Sequence, residues 1–114
     1  MLPQPNRLKK SKDIQKIFER GKSFKEDFLI LKILPNNSAK TRFGFIVSQK
    51  ISKKATLRNK IKRKLRELVG LKFKKTKKGI DVIVMAVPGL ETKDFWEIDE
   101  AMNRVFKKAG ILKR

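Results

Sequence analysis

The sequence predicts an α/β fold, an α+β sandwich in the order α-β-β-β-α-β-α around a mixed central sheet. Three observations predict it. Segments 11–20, 52–71 and 92–109 carry apolar residues at helical spacing, 28–34 and 79–86 are almost continuously apolar, and 42–48 alternates with period two. The 114 residues contain no internal repeat and suit one domain, 1–114, with a modest core and a basic N-terminal arm over about residues 1–10.

Taken in order, "SKDIQKIFERG" reads as a short helix: Ser11 is placed to cap it, Asp13 suits its first turn, Gly21 ends it, and Ile14, Ile17 and Phe18 form its apolar face. "KSF" (22–24) reads as a short extra strand. "FLILKIL" (28–34) and "RFGFIVS" (42–48) read as paired strands turning near Asn36 and Asn37, the second with Phe43, Phe45 and Val47 on one side and Gly44, Ile46 and Ser48 on the other. A long basic helix is expected to start between Ser52 and Thr56, both suitable caps, and to end about Leu71 near Gly70. "GIDVIVMA" (79–86) is apolar on both faces, as a central strand is. Pro88 and Gly89 turn the chain into a last helix from Thr92, with Phe95, Ile98, Met102, Val105, Phe106 and Ala109 at helical spacing, Lys107 and Lys108 late, and Gly110 as its stop.

Composition points to a polyanionic partner. With 31 Lys and Arg against 11 Asp and Glu the formal net charge is +20, enough self-repulsion to oppose a compact fold. Hydrophobic residues at 39% and eight Phe nevertheless exclude a purely disordered basic tail. The absence of Cys and His removes disulfides, thiolate metal sites and the usual proton shuttle. No apolar run approaches the roughly 20 residues of a membrane span, and "MLPQPNRLKK" has no signal-peptide core, so a cytoplasmic protein without a membrane partner is expected.

The charge is most concentrated in "LRNKIKRKLRE" (57–67), with six cations and one acid. At about 100° per residue, Leu57, Ile61, Leu65, Leu68 and Leu71 share one arc facing the sheet, while Arg58, Asn59, Lys62, Arg63 and Arg66 fill a second arc without an acid. Glu67 lies on the flank of Lys60 and Lys64, within i to i+3 reach of Lys64. Arginine forks at one-turn spacing suit a phosphate chain, and "QKISKK" (49–54) and "KFKKTKK" (72–78) extend the charge on both sides. The ordinary alternative is a solvated face whose long stems cover the core. Phe18 and Phe24 or Phe28 are placed to stack on unpaired bases, Phe28 less so than Phe18, although Phe at such spacing is commonly core. Trp96 falls off the apolar face of its helix and assigns no function.

Nothing marks a self-contained active site. Five acids between Glu91 and Glu100 fit the first turns of a helix, while Glu26, Asp27 and Asp81 have no metal-ligand spacing. Phosphate loops and nucleophile elbows are absent.

"RFGFIVSQKISKKATLRNKIKRKLRE" (42–67) resembles the signature of the protein subunit of bacterial ribonuclease P: a Gly-containing strand ending in Val-Ser, a Lys-rich turn, then a helix opening like Arg-Asn-Arg and continuing Ile-Lys-Arg. "NRLKKSKDIQKIFERGKSF" (6–24) resembles the N-terminal helix region of that family. The resemblance implies an accessory subunit of an endoribonuclease whose RNA performs a magnesium-dependent hydrolysis removing the 5′ leader of precursor tRNA. Its partners would be that RNA and the precursor, with no protein partner required and no cofactor or metal on the protein itself. By position, Arg58, Asn59, Lys60, Lys62, Arg63 and Arg66, with Lys50 and Lys53, would face the catalytic RNA. Ile14, Phe18, Phe28, Leu31 and Arg7 would line the leader cleft between the first helix and the sheet. Lys60 departs from the last Arg of Arg-Asn-Arg, and Ile14 and Leu31 stand for aromatics, favouring apolar contact over stacking there. A left-handed crossover through the basic helix is also implied, against the general right-handed preference. The different-class alternatives are a structural, ribosomal-type RNA binder and a nuclease in its own right.

Overall fold

The computed structural model describes residues 6–113, so the first half of the basic arm lies outside the described residues. Three helices, α1 (Ser11–Arg20), α2 (Ala55–Lys72) and α3 (Phe95–Ala109), enclose a four-stranded sheet of β1 (Lys22–Glu26), β2 (Leu29–Pro35), β3 (Arg42–Val47) and β4 (Ile80–Ala86). The strand order is β1-β2-β4-β3, with β4 antiparallel to β2 and parallel to β3.

The expected pairing of β2 with β3 is therefore corrected. β4 lies between them because Val82, Ile83 and Val84 are completely buried, which requires cover on both faces and neighbours on both edges. The connection from Pro35 to Arg42 then spans two strand spacings, about 10 Å. It is held open by Asn36, whose Nδ2 donates to Lys40 O at 2.9 Å and Asp81 Oδ1 at 2.8 Å.

On one face, α2 and α3 cover the main core. Phe43 stacks on Phe106 with centroids 6.3 Å apart and meets Phe73 edge-on at 6.2 Å, while Leu29, Leu31, Val84, Leu65 and Leu68 fill the space between. Truncating such a leucine to alanine costs about 2–5 kcal/mol. On the other face, the smaller α1 buries Ile17 against Ile83 and Leu8, with Ile14, Leu34 and Ile46 at the margin. Gly44 lets Leu8 pack closely there, since a Cβ would sit 3.2 Å from Leu8 Cβ and push it outward.

Helix ends depart from the sequence reading. Lys10 and Lys54, not Ser11, Ser52 or Thr56, occupy the N-cap positions of α1 and α2, and neither helix has a side-chain cap. α3 starts at Phe95, because Leu90–Thr92 form a 3₁₀ turn and Asp94 with Glu97 makes a reciprocal capping box. Gly110 ends α3 in the left-handed conformation (φ 69°), as its position predicted.

Candidate nucleic-acid interface

α2 presents its cations beside the outer edge of the sheet. Arg66 lies over the Phe45 ring of β3, 5.9 Å from its centroid, and Arg58 Nη1 donates to Ser52 O at 2.9 Å in the turn leading into the helix. These contacts engage the guanidinium groups of the half-buried Arg58 and Arg66, while Asn59 and Arg63 are exposed beside them. The β3–α2 turn is tight, with the Ile51 N–H donating to Ser48 O at 3.0 Å and the Lys50 N–H to Ser48 Oγ at 3.1 Å, so Lys50 and Lys53 sit at the same end as Arg58. No acid occupies the first turn of α2. Its N-terminal amides and dipole therefore add to the attraction for an anion.

Most of the acids are engaged elsewhere. Arg42 holds Asp81 bidentately (Nε–Oδ1 2.9 Å, Nη2–Oδ2 2.7 Å) and Asp13 at 3.2 Å, tying α1 to β3 and β4. Those hydrogen bonds to Asp81 raise the Arg42 pKa against the opposing effect of burial. Lys72 pairs with Asp99 between α2 and α3. Arg104 takes Glu26 at 3.1 Å and Asp27 at 2.8 Å, and Lys108 takes Glu26 at 3.0 Å, which holds the Glu26 carboxyl below its ordinary range. Among the described residues no ion pair involves Arg58, Lys60, Lys62, Arg63, Lys64 or Arg66, and the Lys64–Glu67 pair within reach by sequence does not form. The cationic face is thus left without internal compensation. Lys60 is separated from it, on the opposite flank with Leu57, Lys64 and Lys93 in a groove against Leu90 and Ile98.

A second surface lies on the α1 side of the sheet. The cross-strand row Lys32–Ile83–Gly44 faces α1, and the next such row, Ile30–Met85–Ile46, is only half-buried. Phe18 is 39% exposed at the border of α1, and Lys32 Nζ stands 5.2 Å from its ring centroid while donating to Ser23 Oγ at 2.9 Å. Ile14 edges the small core beneath α1. Arg7 lies at the rim of β3, where its backbone bridges Phe43 and the Leu8 N–H donates to Phe43 O at 2.8 Å.

Two sequence-predicted cleft residues are not there. Leu31 is wholly buried and Phe28 is 7% exposed, both in the main core under the large helices. Side chains alternate along a strand, so if Leu31 points to α2 and α3, its neighbours Ile30 and Lys32 point to α1. The signal was present: Lys32 is the one polar residue in "FLILKIL", and a lone charge in an apolar run marks the face that meets water. Among the described residues no three carboxylates converge as a metal site, and no helix is long and apolar enough to cross a membrane.

The family model for ribonuclease P matches residues 2–110, and ribonuclease P protein components align along nearly the whole chain. The chain belongs to the ribonuclease P protein family. It is 33% identical over 113 residues to the component from Pseudanabaena, covering 98% of this chain and 97% of that one, and 36% identical over 107 residues to one from Clostridium botulinum, covering 93% and 96%. The solved structure of the Staphylococcus aureus RNase P protein superposes with a TM-score of 0.86 at 29% identity over 95% of this chain and 98% of that one. The Thermotoga maritima RNase P protein does so with 0.81 at 32% identity over 90% and 96%. The mixed sheet between three helices is accordingly the fold of the family.

Proposed function

We propose that this chain is the protein component of a ribonuclease P ribonucleoprotein, in which it binds the catalytic RNA through α2 and the single-stranded 5′ leader of precursor tRNA in the α1 cleft. The observation that carries the reading is the α2 face: cations at one-turn spacing, free of internal acids, beside an N-terminus open to anions. Arg58, Asn59, Lys62, Arg63 and Arg66 take RNA phosphates, with Lys50 and Lys53 extending the track. In the cleft, Phe18 offers a ring face to one base, Lys32 a charge to the adjacent phosphate, and Ile14, Ile30 and Ile46 an apolar floor.

Hydrolysis is assigned to the RNA, which also holds the magnesium ions it needs. The protein's donor set supports this division, since it has neither His nor Cys, and its Asp13 and Asp81 are held by Arg42. Its contribution is positional and electrostatic. The leader is fixed relative to the catalytic RNA, and positive charge replaces cations that would otherwise screen RNA against RNA.

Cleavage of precursor tRNA by protein alone, RNA alone and the two together, across a magnesium series, tests this. The expected result is inactivity of the protein alone and a lower magnesium requirement for the pair, with no further protein added. Cleavage without RNA, lost in a folded Asp27→Asn variant, would favour a protein nuclease. Absence of stimulation would favour a purely structural RNA binder.

A further inference from the structure

The basic segment "KFKKTKK" (72–78) takes no part in either surface above. It leaves α2 through a 3₁₀ turn, Phe73–Lys75, and is pinned in place by three contacts. Thr76 Oγ1 donates to Lys72 O at 2.9 Å, Thr41 Oγ1 donates to Lys77 O at 2.6 Å, and the Lys77 N–H donates to Ile111 O at 2.7 Å. The result is a cavity of about 400 Å³, within the range of small-ligand pockets, with Phe73 and Thr76 in its lining and Lys40, Lys74, Lys78 and Lys113 around it. Among the described residues none of these four ammonium groups has a carboxylate partner.

A helix C-terminus favours nearby cations, which accounts for Lys74 at the end of α2. It does not account for Lys40 from the β2–β3 connection, Lys78 before β4 or Lys113 beyond α3. Segments remote in sequence bring like charges around one cavity, on a frame held by buried threonine hydroxyls, and the repulsion has no internal compensation. The lining is furthermore suited to more than a bare ion, because Phe73 is half-buried and supplies an aromatic surface. At about 1.5 Å per residue, Lys74 stands roughly 24 Å along the helix direction from Arg58, so the cavity is separate from the start of the arginine track.

We propose that this cavity is a nucleotide site, in which Lys40, Lys74, Lys78 and Lys113 hold the phosphate of a nucleoside phosphate, free or within an RNA strand, and Phe73 contacts its base. The test is amide NMR of the full chain titrated separately with adenosine 5′-monophosphate and with a five-residue oligouridylate. The expected result is movement of the Thr41, Phe73 and Thr76 signals, abolished in Lys74→Gln/Lys78→Gln/Lys113→Gln and restored in the corresponding triple Lys→Arg variant. Response to both probes identifies a site open to free nucleotides; response to oligouridylate alone identifies one for a strand. In the strand case the salt slope of oligouridylate binding falls by about 0.7 in the Gln variant, the share of the one phosphate the lysines hold. Shifts confined to residues of α2 and the α1 cleft, or identical shifts in the folded Gln variant, overturn the proposal.

Discussion

Arg63→Ala isolates the phosphate contact of α2 from the packing of the helix. Arg58 and Arg66 are not clean probes. Losing the Arg58 hydrogen bond to Ser52 O costs about 1 kcal/mol, and losing Arg66 from the Phe45 ring costs about 0.5–1 kcal/mol, so alanine at either position weakens the fold as well as the interface. Arg63 is exposed and has no ion pair among the described residues, so its removal should change stability by less than about 0.5 kcal/mol. Its effect on RNA should be larger. Each lost phosphate contact lowers the slope of log affinity against log salt by about 0.7–0.9, so a fourfold change in salt should alter the affinity of the variant about 2.6- to 3.5-fold less than that of the parent. The assay is binding to the catalytic RNA over a salt series, with thermal unfolding as the control. Arg63→Lys should restore the slope and leave only the deficit of a lost bidentate fork. An unchanged slope in a folded Arg63→Ala protein would falsify the phosphate contact.

Other outcomes follow from the same geometry. Phe18→Ala should weaken holoenzyme binding to precursor tRNA by about 1–3 kcal/mol more than to mature tRNA, and Lys32→Met should act in the same direction; equal losses on both substrates would assign the pair to the fold alone. Arg42→Ala leaves the buried Asp81 carboxylate without its main partner and should cost about 2–3 kcal/mol in urea unfolding, reduced in the double variant Arg42→Ala/Asp81→Asn; an equal cost in both would deny the ion pair its role. Glu26 has its folded pKa depressed by Lys108 and Arg104, so its stabilisation is present above the unfolded value near 4.5 and fades as pH falls through the folded one. Glu26→Gln should therefore flatten acid unfolding below about pH 4.5, and an unaltered acid limb would count against the contact.

The α2 cationic face was legible in the sequence because charge and helical period coincide there over three turns. Its buried face was less so. Leu57 and Leu71 share the apolar arc but are 40% and 70% exposed, while Val69 and the stem of Lys72 are buried. An 18-residue helix is about 27 Å long, whereas the six residues of β3 reach about 20 Å, so the ends of α2 overhang the sheet. Near its C-terminus α2 also meets α3 through Lys72 and Asp99, which turns the buried arc toward Val69. The cleft was harder to read for a related reason. In a strand buried on both faces the apolar run loses its alternation, so a one-residue error moves every side chain to the wrong face, as happened with Leu31, whose neighbour Lys32 takes the α1 side.

The acids are placed where so basic a chain most needs internal compensation. Arg42 spans Asp13 and Asp81 to fasten α1 to the sheet, Arg104 and Lys108 fasten the β1–β2 turn to α3, and Lys72 with Asp99 joins the two large helices. Each of these pairs sits at a junction between elements, where two parts of the fold would otherwise repel. The same placement leaves the arginine face of α2 without an acid, since a carboxylate spent at a junction cannot screen the helix face. Moving one there should expose the trade-off: Asn59→Glu puts an acid at the i−4 position of Arg63 and the i+1 position of Arg58, without touching the core. An i to i+4 pair of that orientation stabilises a helix by about 0.2–0.5 kcal/mol, so the variant should unfold at a slightly higher temperature. Its affinity for the catalytic RNA should fall, because the new carboxylate competes with phosphate for Arg63. A variant that gained stability and kept its RNA affinity would show that this face is an ordinary solvated surface.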